Sequence, residues 1–296
     1  MAKVSILMNG YNSKEYLKEA IDSVYAQSFK DWEIIFIDNC STDNTASIVK
    51  SYNKKIKYYK THKNIPLGDA RNFGLNYCKG EYLAFLDTDD IWLKDKLQNQ
   101  IDILEKDKTL QMCYGGAIWI DKYGKEINQD LPKAKTGDVF SQNLIRYEIN
   151  MQTVLIRNNI DISFNTTMEF SPDYDLFMQI ASKYKVAVIE RPIVKYRKLL
   201  NSLTSKKIDR WAIEVEKTLN TIFKENISLK NKYSKEYSLA YAKVGYYYAQ
   251  YYASIDDMKK ARLALYKYRF ISKNYLFLYL LSFLPVSIWR FIHKFK

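Results

Sequence analysis

The stretch Tyr82–Trp92, YLAFLDTDDIW, decides the reading of the fold. An apolar run from Tyr82 to Leu86 ends in three carboxylates within four positions, Asp87, Asp89 and Asp90, and the chain then turns apolar again. Crowded like charges are costly unless a cation or hydrogen-bond donors compensate them. A strand that enters the interior and is tipped with acids therefore predicts a charged ligand at its carboxyl end.

Around that stretch the chain alternates. Val4–Met8, Glu33–Ile37 and Ile56–Tyr59 read as strands. Between and after them Glu15–Gln27, with Leu17, Ile21 and Val24 at helical spacing, Thr42–Tyr52 and Leu67–Cys78 read as helices. Lys79-Gly80 breaks the last of these before the acidic strand, and Leu93–Leu104 follows as a helix. This alternation predicts an α/β fold of parallel βαβ units with helices on both faces of the sheet. Ligands of such sheets sit outside the carboxyl ends of the strands. Asp38 and Asp87 both lie at such ends, so the pattern makes them neighbours of one crevice.

Beyond Leu110 the runs MCYGGAIWI and MQTVLIR are strand-like, and a helix Tyr174–Lys183 with a strand Val186–Ile189 closes the unit. From Asp209 the sequence becomes helical and rich in Tyr and Lys. A boundary near Ser205 is expected, giving domains 1–205 and 206–296. Leu239–Tyr252 and Asp257–Tyr268 read as a helical hairpin.

Composition narrows the partners. Three scattered cysteines with no CxxC spacing favour reduced thiols over disulfides or a zinc site. The net charge of +13 is concentrated at the C-terminal end, since no acidic residue follows Asp257. That placement points to a membrane surface rather than a nucleic-acid footprint. The N-terminus lacks a signal-peptide pattern, and no apolar run approaches the ~20 residues of a spanning helix. The expectation is a cytoplasmic protein, peripheral at the inner face of the cell membrane. Residues Tyr275–Lys296, interrupted by Pro285 and closed by Trp289 and basic residues, read as an interfacial helix pair. The alternative is a hydrophobic helix packed on the core or on a partner chain.

From Lys3 to about Thr204 the chain resembles a family 2 glycosyltransferase of the GT-A fold. The resemblance is carried in order by VSILMNGYN, by FIDNCSTDNT (usually DDGSTD), by LGDARNFGL, by FLDTDD and by SPDYDL. It implies a metal-dependent, inverting transferase of hexosyltransferase type that uses a nucleotide-diphosphate sugar, with UDP as the expected nucleotide. Asp89 is implied as the ligand of Mn²⁺ or Mg²⁺, with Asp87 on metal or ribose and Asp90 as a third member or a helix cap. Tyr11 is implied to stack on the base, with Asp38 and Asn39 beside it. Asn39 stands where the family has an acid that accepts the uracil N3–H. Arg71 is implied at the nucleotide or diphosphate, and Asp173 as the catalytic base. Where many relatives carry a histidine two residues after the YR arginine, this chain has Leu199. The implied acceptor is a saccharide, lipid-linked, in bacterial cell-surface glycan or lipooligosaccharide synthesis.

Two other functions compete for this sequence. A sugar-nucleotide pyrophosphorylase needs a Gly-rich, basic loop after the first strand, and MNGYNSKEY offers one glycine. A degenerate, non-catalytic nucleotide-sugar-binding or scaffold protein at the membrane would account for Asn39 and Leu199, but not for Asp87, Asp89 and Asp173 together.

Overall fold

The computed structural model describes residues 1–199 and 208–294; the boundary expected near Ser205 falls outside them. The chain divides into two compact units, Met1–Phe140 with Glu148–Leu200, and Ser141–Tyr147 with Asn201–Lys296.

The first unit opens as β1 (Val4–Gly10), α1 (Leu17–Tyr25), β2 (Trp32–Asp38), α2 (Thr45–Lys50), β3 (Ile56–Lys60), α3 (Leu67–Leu75) and β4 (Tyr82–Phe85). β1 pairs in parallel with β2, Gly10 opposite Asp38, and with β4, Leu7 opposite Phe85. All seven residues of β2 and all four of β4 are buried, as expected of parallel strands covered on both faces. Because these strands run the same way, their carboxyl ends share one edge. That brings Asp38 and the acids after β4 to the same side of the sheet.

There follow β5 (Ile91–Trp92), α4 (Lys96–Lys106), β6 (Leu110–Ile120), β7 (Glu126–Asp130), α5 (Phe140–Ile145), a 3₁₀ turn (Met151–Thr153), β8 (Leu155–Arg157), α6 (Pro172–Lys183) and β9 (Lys185–Arg197). The strands form one mixed sheet in the order β3-β2-β1-β4-β8-β6-β9-β5, with β7 on β6.

Two elements depart from the sequence expectation. The helix expected from Leu93 starts at Lys96, because Ile91 and Trp92 pair with Lys195 and Val194. The strand expected to end at Ile189 runs on to Arg197. Glu190-Arg191-Pro192 looks like a break, since Pro donates no ladder hydrogen bond. The register shifts around Gly115 and Gly116 absorb it, with Gly116 opposite Pro192. A Cβ on Gly116 would lie 2.9 Å from the Asp130 carbonyl oxygen, so only glycine fits that close approach.

The second unit is helical: α7 (Ile208–Glu225), α8 (Ile227–Lys232), α9 (Ser234–Ser254), α10 (Met258–Tyr266), α11 (Lys273–Leu281) and α12 (Val286–Lys294). α9 and α10 form the expected hairpin, and Asp257 caps α10 by accepting from the Lys260 N–H at 3.0 Å. Ala249, Ala253, Ala261, Leu265, Leu281 and Trp289 make its core. Trp289 was expected to anchor at a membrane interface, and the structure corrects this. Its indole is 1 % exposed, stacks on His293 at 4.5 Å and reaches Gln250. An Ala-lined gap that also offers an acceptor satisfies both parts of an indole. Among the described residues no helix is long and apolar enough to cross a membrane.

Candidate active site

The acids after β4 are held by buried donors. Gln152 donates its side-chain N–H to Asp87 Oδ2, and Arg71 Nη2 stands 3.5 Å from Asp87 Oδ1. Both donors are nearly fully buried, and the Arg71 guanidinium lies 5.3 Å from the Phe164 ring centre. Asp89 is half-buried, and burial followed by the charge of Asp87 pushes its carboxyl up to about 6. Asp90 is fully buried; its Oδ1 accepts from the Arg197 backbone N–H at 2.7 Å. Asp90 Oδ2 is buried with no hydrogen-bond partner. Burial, then Asp89 and Asp87, hold the Asp90 carboxyl well above the usual range. Asp90 therefore caps no helix: a strand intervenes, and it pairs with β9 instead.

This cluster fits a hard divalent cation. Arg71 and Arg197 offset part of the negative charge of the three acids, and Asp90 Oδ2 is buried with no hydrogen-bond partner. Among the described residues no group of three or more His, Cys, Asp or Glu side chains closes an ion site unaided. A site with one or two carboxylates suits Mg²⁺ or Mn²⁺, which share their shells with substrate phosphates and water.

Asp173 sits in the first turn of α6, half-buried. Burial raises its carboxyl, and the nearby Arg71 charge works in the opposite sense. The Arg71 charge thus acts on both Asp87 and Asp173. Asp175 faces elsewhere, is buried, and accepts from Gln179 at 2.8 Å. Burial, then the charges of Asp90, Asp87, Asp89 and Asp173, raise the hydroxyl of half-buried Tyr196, so this phenol is within electrostatic reach of all four acids.

Asp38 and Asn39, expected beside a nucleotide base, bond to protein groups. Asp38 is fully buried, with Oδ1 accepting from the Ser41 N–H at 2.7 Å and Oδ2 from the Tyr58 hydroxyl at 2.5 Å. Asn39 Oδ1 accepts from the Ile65 N–H at 3.0 Å and Thr61 at 3.1 Å. Its Nδ2 donates to the Ile65 carbonyl at 2.8 Å and Asn64 at 3.1 Å. Those four bonds are all that a primary amide makes. Asn39 here stitches β2 to the 61–65 loop. Cys40, at the glycine position of DDGSTD, takes φ +66°, the left-handed region that explains glycine there. Tyr11 is 50 % exposed in the loop after β1, its ring open to solvent.

Three residues escaped the sequence reading. Arg197, 3 % exposed, donates through Nε to the Asp89 carbonyl at 2.9 Å, pairs with Glu19 and stacks on Tyr16 at 4.3 Å. Gln152 and Tyr196 are the others. Gln152 is itself fixed, because three buried side chains grip successive carbonyls of its turn. Trp92 Nε1 donates to Gln152 O at 3.0 Å, Gln100 to Thr153 O at 2.7 Å and Lys96 to Val154 O at 3.4 Å. Lys96 is fully buried over the Trp92 ring, and burial lowers its amine to about 7. Only the YR dipeptide of YRKLL hinted at any of this. Of the histidines, His62 is exposed in a loop and His293 packs on Trp289.

Comparison with known proteins gives the family of the chain. The model of Glycosyl transferase family 2 matches residues 5–177. An uncharacterized glycosyltransferase of Methanocaldococcus jannaschii is 30 % identical over 203 residues, 66 % of this chain and 70 % of that protein. A longer uncharacterized glycosyltransferase of Rickettsia felis is 34 % identical over 206 residues, and the match spans only 34 % of its length. The putative teichuronic acid biosynthesis glycosyltransferase TuaG of Bacillus subtilis is 29 % identical over 211 residues, 69 % of this chain and 82 % of TuaG. S. aureus TarS 1–349, solved in complex with UDP-GlcNAc, superposes with TM-score 0.59 at 20 % identity, covering 90 % of this chain and 91 % of that one. The mannosyltransferase PcManGT from Pyrobaculum calidifontis, in complex with GDP-Man and Mn²⁺, superposes with TM-score 0.56 at 15 % identity, covering 95 % and 84 %. The fold is GT-A, and the chain belongs to glycosyl transferase family 2.

Proposed function

We propose that the protein is a metal-dependent, inverting glycosyltransferase that moves a hexosyl unit from a nucleotide-diphosphate sugar, a UDP-sugar, to a saccharide hydroxyl. The observation that carries the reading is Asp173, a carboxyl raised by burial in the first turn of α6, within electrostatic reach of Arg71 and Asp87, which are themselves 3.5 Å apart. In a single in-line displacement the acceptor hydroxyl gives its proton to Asp173 as its oxygen bonds the anomeric carbon. The bond from that carbon to the phosphate oxygen breaks, and its electron pair leaves with the diphosphate. A base placed for this contributes about a hundredfold to ten-thousandfold.

Asp89 and Asp87 are the residues that would hold Mn²⁺ or Mg²⁺, which when bound neutralises the departing diphosphate as a Lewis acid. Gln152 and Arg71 keep Asp87 aimed, and Arg197 ties the backbone of the acidic loop to β9. Arg71 adds its own positive charge on the diphosphate side. Tyr11 offers a ring for stacking on the base, with Asp38 and Asn39 shaping the wall of that pocket. The Mn²⁺ of PcManGT and the UDP-GlcNAc of TarS support the cofactor and donor assigned here.

We place the acceptor as a lipid-linked saccharide at the inner face of the cell membrane, in cell-surface glycan synthesis. The likeness to TuaG supports that role. The test is a thermal-shift screen of UDP-, GDP-, CDP- and dTDP-sugars with and without Mn²⁺. A UDP-sugar should stabilise the protein only when the metal is present. Stabilisation by no donor in either condition would remove the basis for a transferase.

A further inference from the structure

The most anomalous surface of the described chain lies at its C-terminal end. Phe270, Phe277, Leu280, Phe283, Leu284 and Ile288 are between 39 % and 76 % exposed. Singly exposed apolar residues are ordinary, but a concentration of this kind marks an interaction site. The pattern is two-sided. Leu281 and Trp289 point inward and are at most 4 % exposed, packed with Ala249, Ala253, Ala261 and Leu265. The residues between and around them point outward. After Lys273 and Asn274, α11 carries apolar and aromatic side chains on every side, which a helix covered on one side only does not need. Its nine residues span about 14 Å at 1.5 Å per residue, half a bilayer's hydrocarbon thickness.

Cations are interleaved with these side chains. Arg262 lies 4.1 Å from the Phe283 ring centre, and Arg269 lies 3.8 Å and 4.3 Å from those of Tyr266 and Phe270. Lys267 and Lys273 are exposed nearby, and no acidic residue follows Asp257. Among the described residues no ion pair ties Arg262, Lys267, Arg269 or Lys273 to an acid, and aromatic rings backed by such cations are the side chains of a headgroup-level surface. A second copy of this chain would bring the same positive charge to the contact and be repelled. An anionic bilayer meets both the apolar and the charged requirement.

We infer that the outer face of α11, the turn after it and the first turn of α12 form a preformed docking surface for an anionic lipid bilayer. The helices lie in the interface and remain pinned to the protein by Leu281 and Trp289. This deepens the location given under the proposed function, but it stands on the surface itself and not on the transfer chemistry.

The full chain should sediment with vesicles of phosphatidylcholine containing 30 % phosphatidylglycerol, and at least tenfold less with pure phosphatidylcholine. Raising salt from about 0.1 M to 1 M, which shortens the Debye length from ~10 to ~3 Å, should release much of it. The triple variant Phe277→Ser, Leu280→Ser, Phe283→Ser should lose at least tenfold in vesicle affinity while keeping the circular dichroism of the parent. Lys267→Glu with Lys273→Glu should weaken binding and flatten its salt dependence. If the triple variant fails to fold, the charge pair decides alone. Binding that is equal on neutral vesicles, absent on anionic ones or unchanged in both variants overturns the inference. So does a dimer by analytical ultracentrifugation that the triple variant dissolves, since the occupant is then a second copy. Nucleoside diphosphate release measured without vesicles reports separately on the catalytic reading, so either proposal can fail while the other stands.

Discussion

Gln152, on a buried 3₁₀ turn, donates its amide hydrogen to Oδ2 of Asp87, at the opposite carboxylate oxygen from Arg71. The two residues are 65 positions apart in sequence. The contact aims the carboxylate of Asp87. Residues that orient a metal-binding carboxylate typically matter about 10- to 100-fold. Gln152→Ala should therefore raise the Mn²⁺ concentration for half-maximal activity by roughly that factor. Gln152→Glu, which sets a charge against Asp87, should be worse. An unchanged Mn²⁺ requirement in both, with the fold intact by circular dichroism, would show that Asp87 needs no such support.

Asp173→Asn preserves shape but removes the proton acceptor. Transfer should fall by about a hundredfold to ten-thousandfold, while donor affinity by thermal shift stays nearly constant. A variant that lost donor binding but kept turnover of the bound donor would move the base elsewhere.

The pH profile follows from the same group. A base works only when deprotonated, and burial raises the Asp173 carboxyl above the ordinary carboxylate range. The acid limb of kcat/KM should therefore fall away at a pH above ~4, the usual carboxyl value. In Asp173→Asn that limb should disappear from the residual activity. A limb that persists there belongs to another group.

Lys96 gives a stability prediction. Its amine is lowered to about 7 by burial, so between that pH and the unfolded value near 10.4 the unfolded chain binds more protons. Stability conferred by the neutral amine is absent below about pH 7 and grows as pH rises through that window. Lys96→Met removes the titration, so the stability of the variant relative to wild type should decline by about 1.4 kcal/mol per pH unit between roughly pH 7 and 9. Comparing the two proteins cancels the buried cysteines, Cys78 and Cys113, whose thiols are raised to about 12 and which oppose the trend at high pH. Urea midpoints that run parallel across that range would mean Lys96 stays charged in the fold.

The alternation of strands and helices up to β4 was legible because parallel strands buried on both faces read as unbroken apolar runs. The acids of the site were legible for the converse reason, since charge has no packing reason to end such a run. Less visible was β9, whose Pro192 is accommodated only by the shift at Gly116. Gln152 could not be found, because an amide in MQTVLIR is unremarkable until β8 brings it beside β4. Asn39 reads locally as a base reader, whereas the loop at Thr61–Ile65 occupies every bond it can make. Trp289 read as an anchor because the alanines of α9 and α10 that receive it lie tens of residues away.

The central claim is that Asp87 and Asp89 hold a metal on which donor cleavage depends. It is tested most directly by measuring nucleoside diphosphate release from a panel of nucleotide-diphosphate sugars. The assay is run in Mn²⁺, in excess chelator and after metal restoration, with Asp89→Asn alongside. The account predicts release from a UDP-sugar in Mn²⁺, its loss in chelator and its return with Mn²⁺ or Mg²⁺. Asp89→Asn should be at least about a hundredfold slower, the scale of losing one electrostatic contact to the departing charge. Equal release in chelator, or full activity of Asp89→Asn, would contradict it.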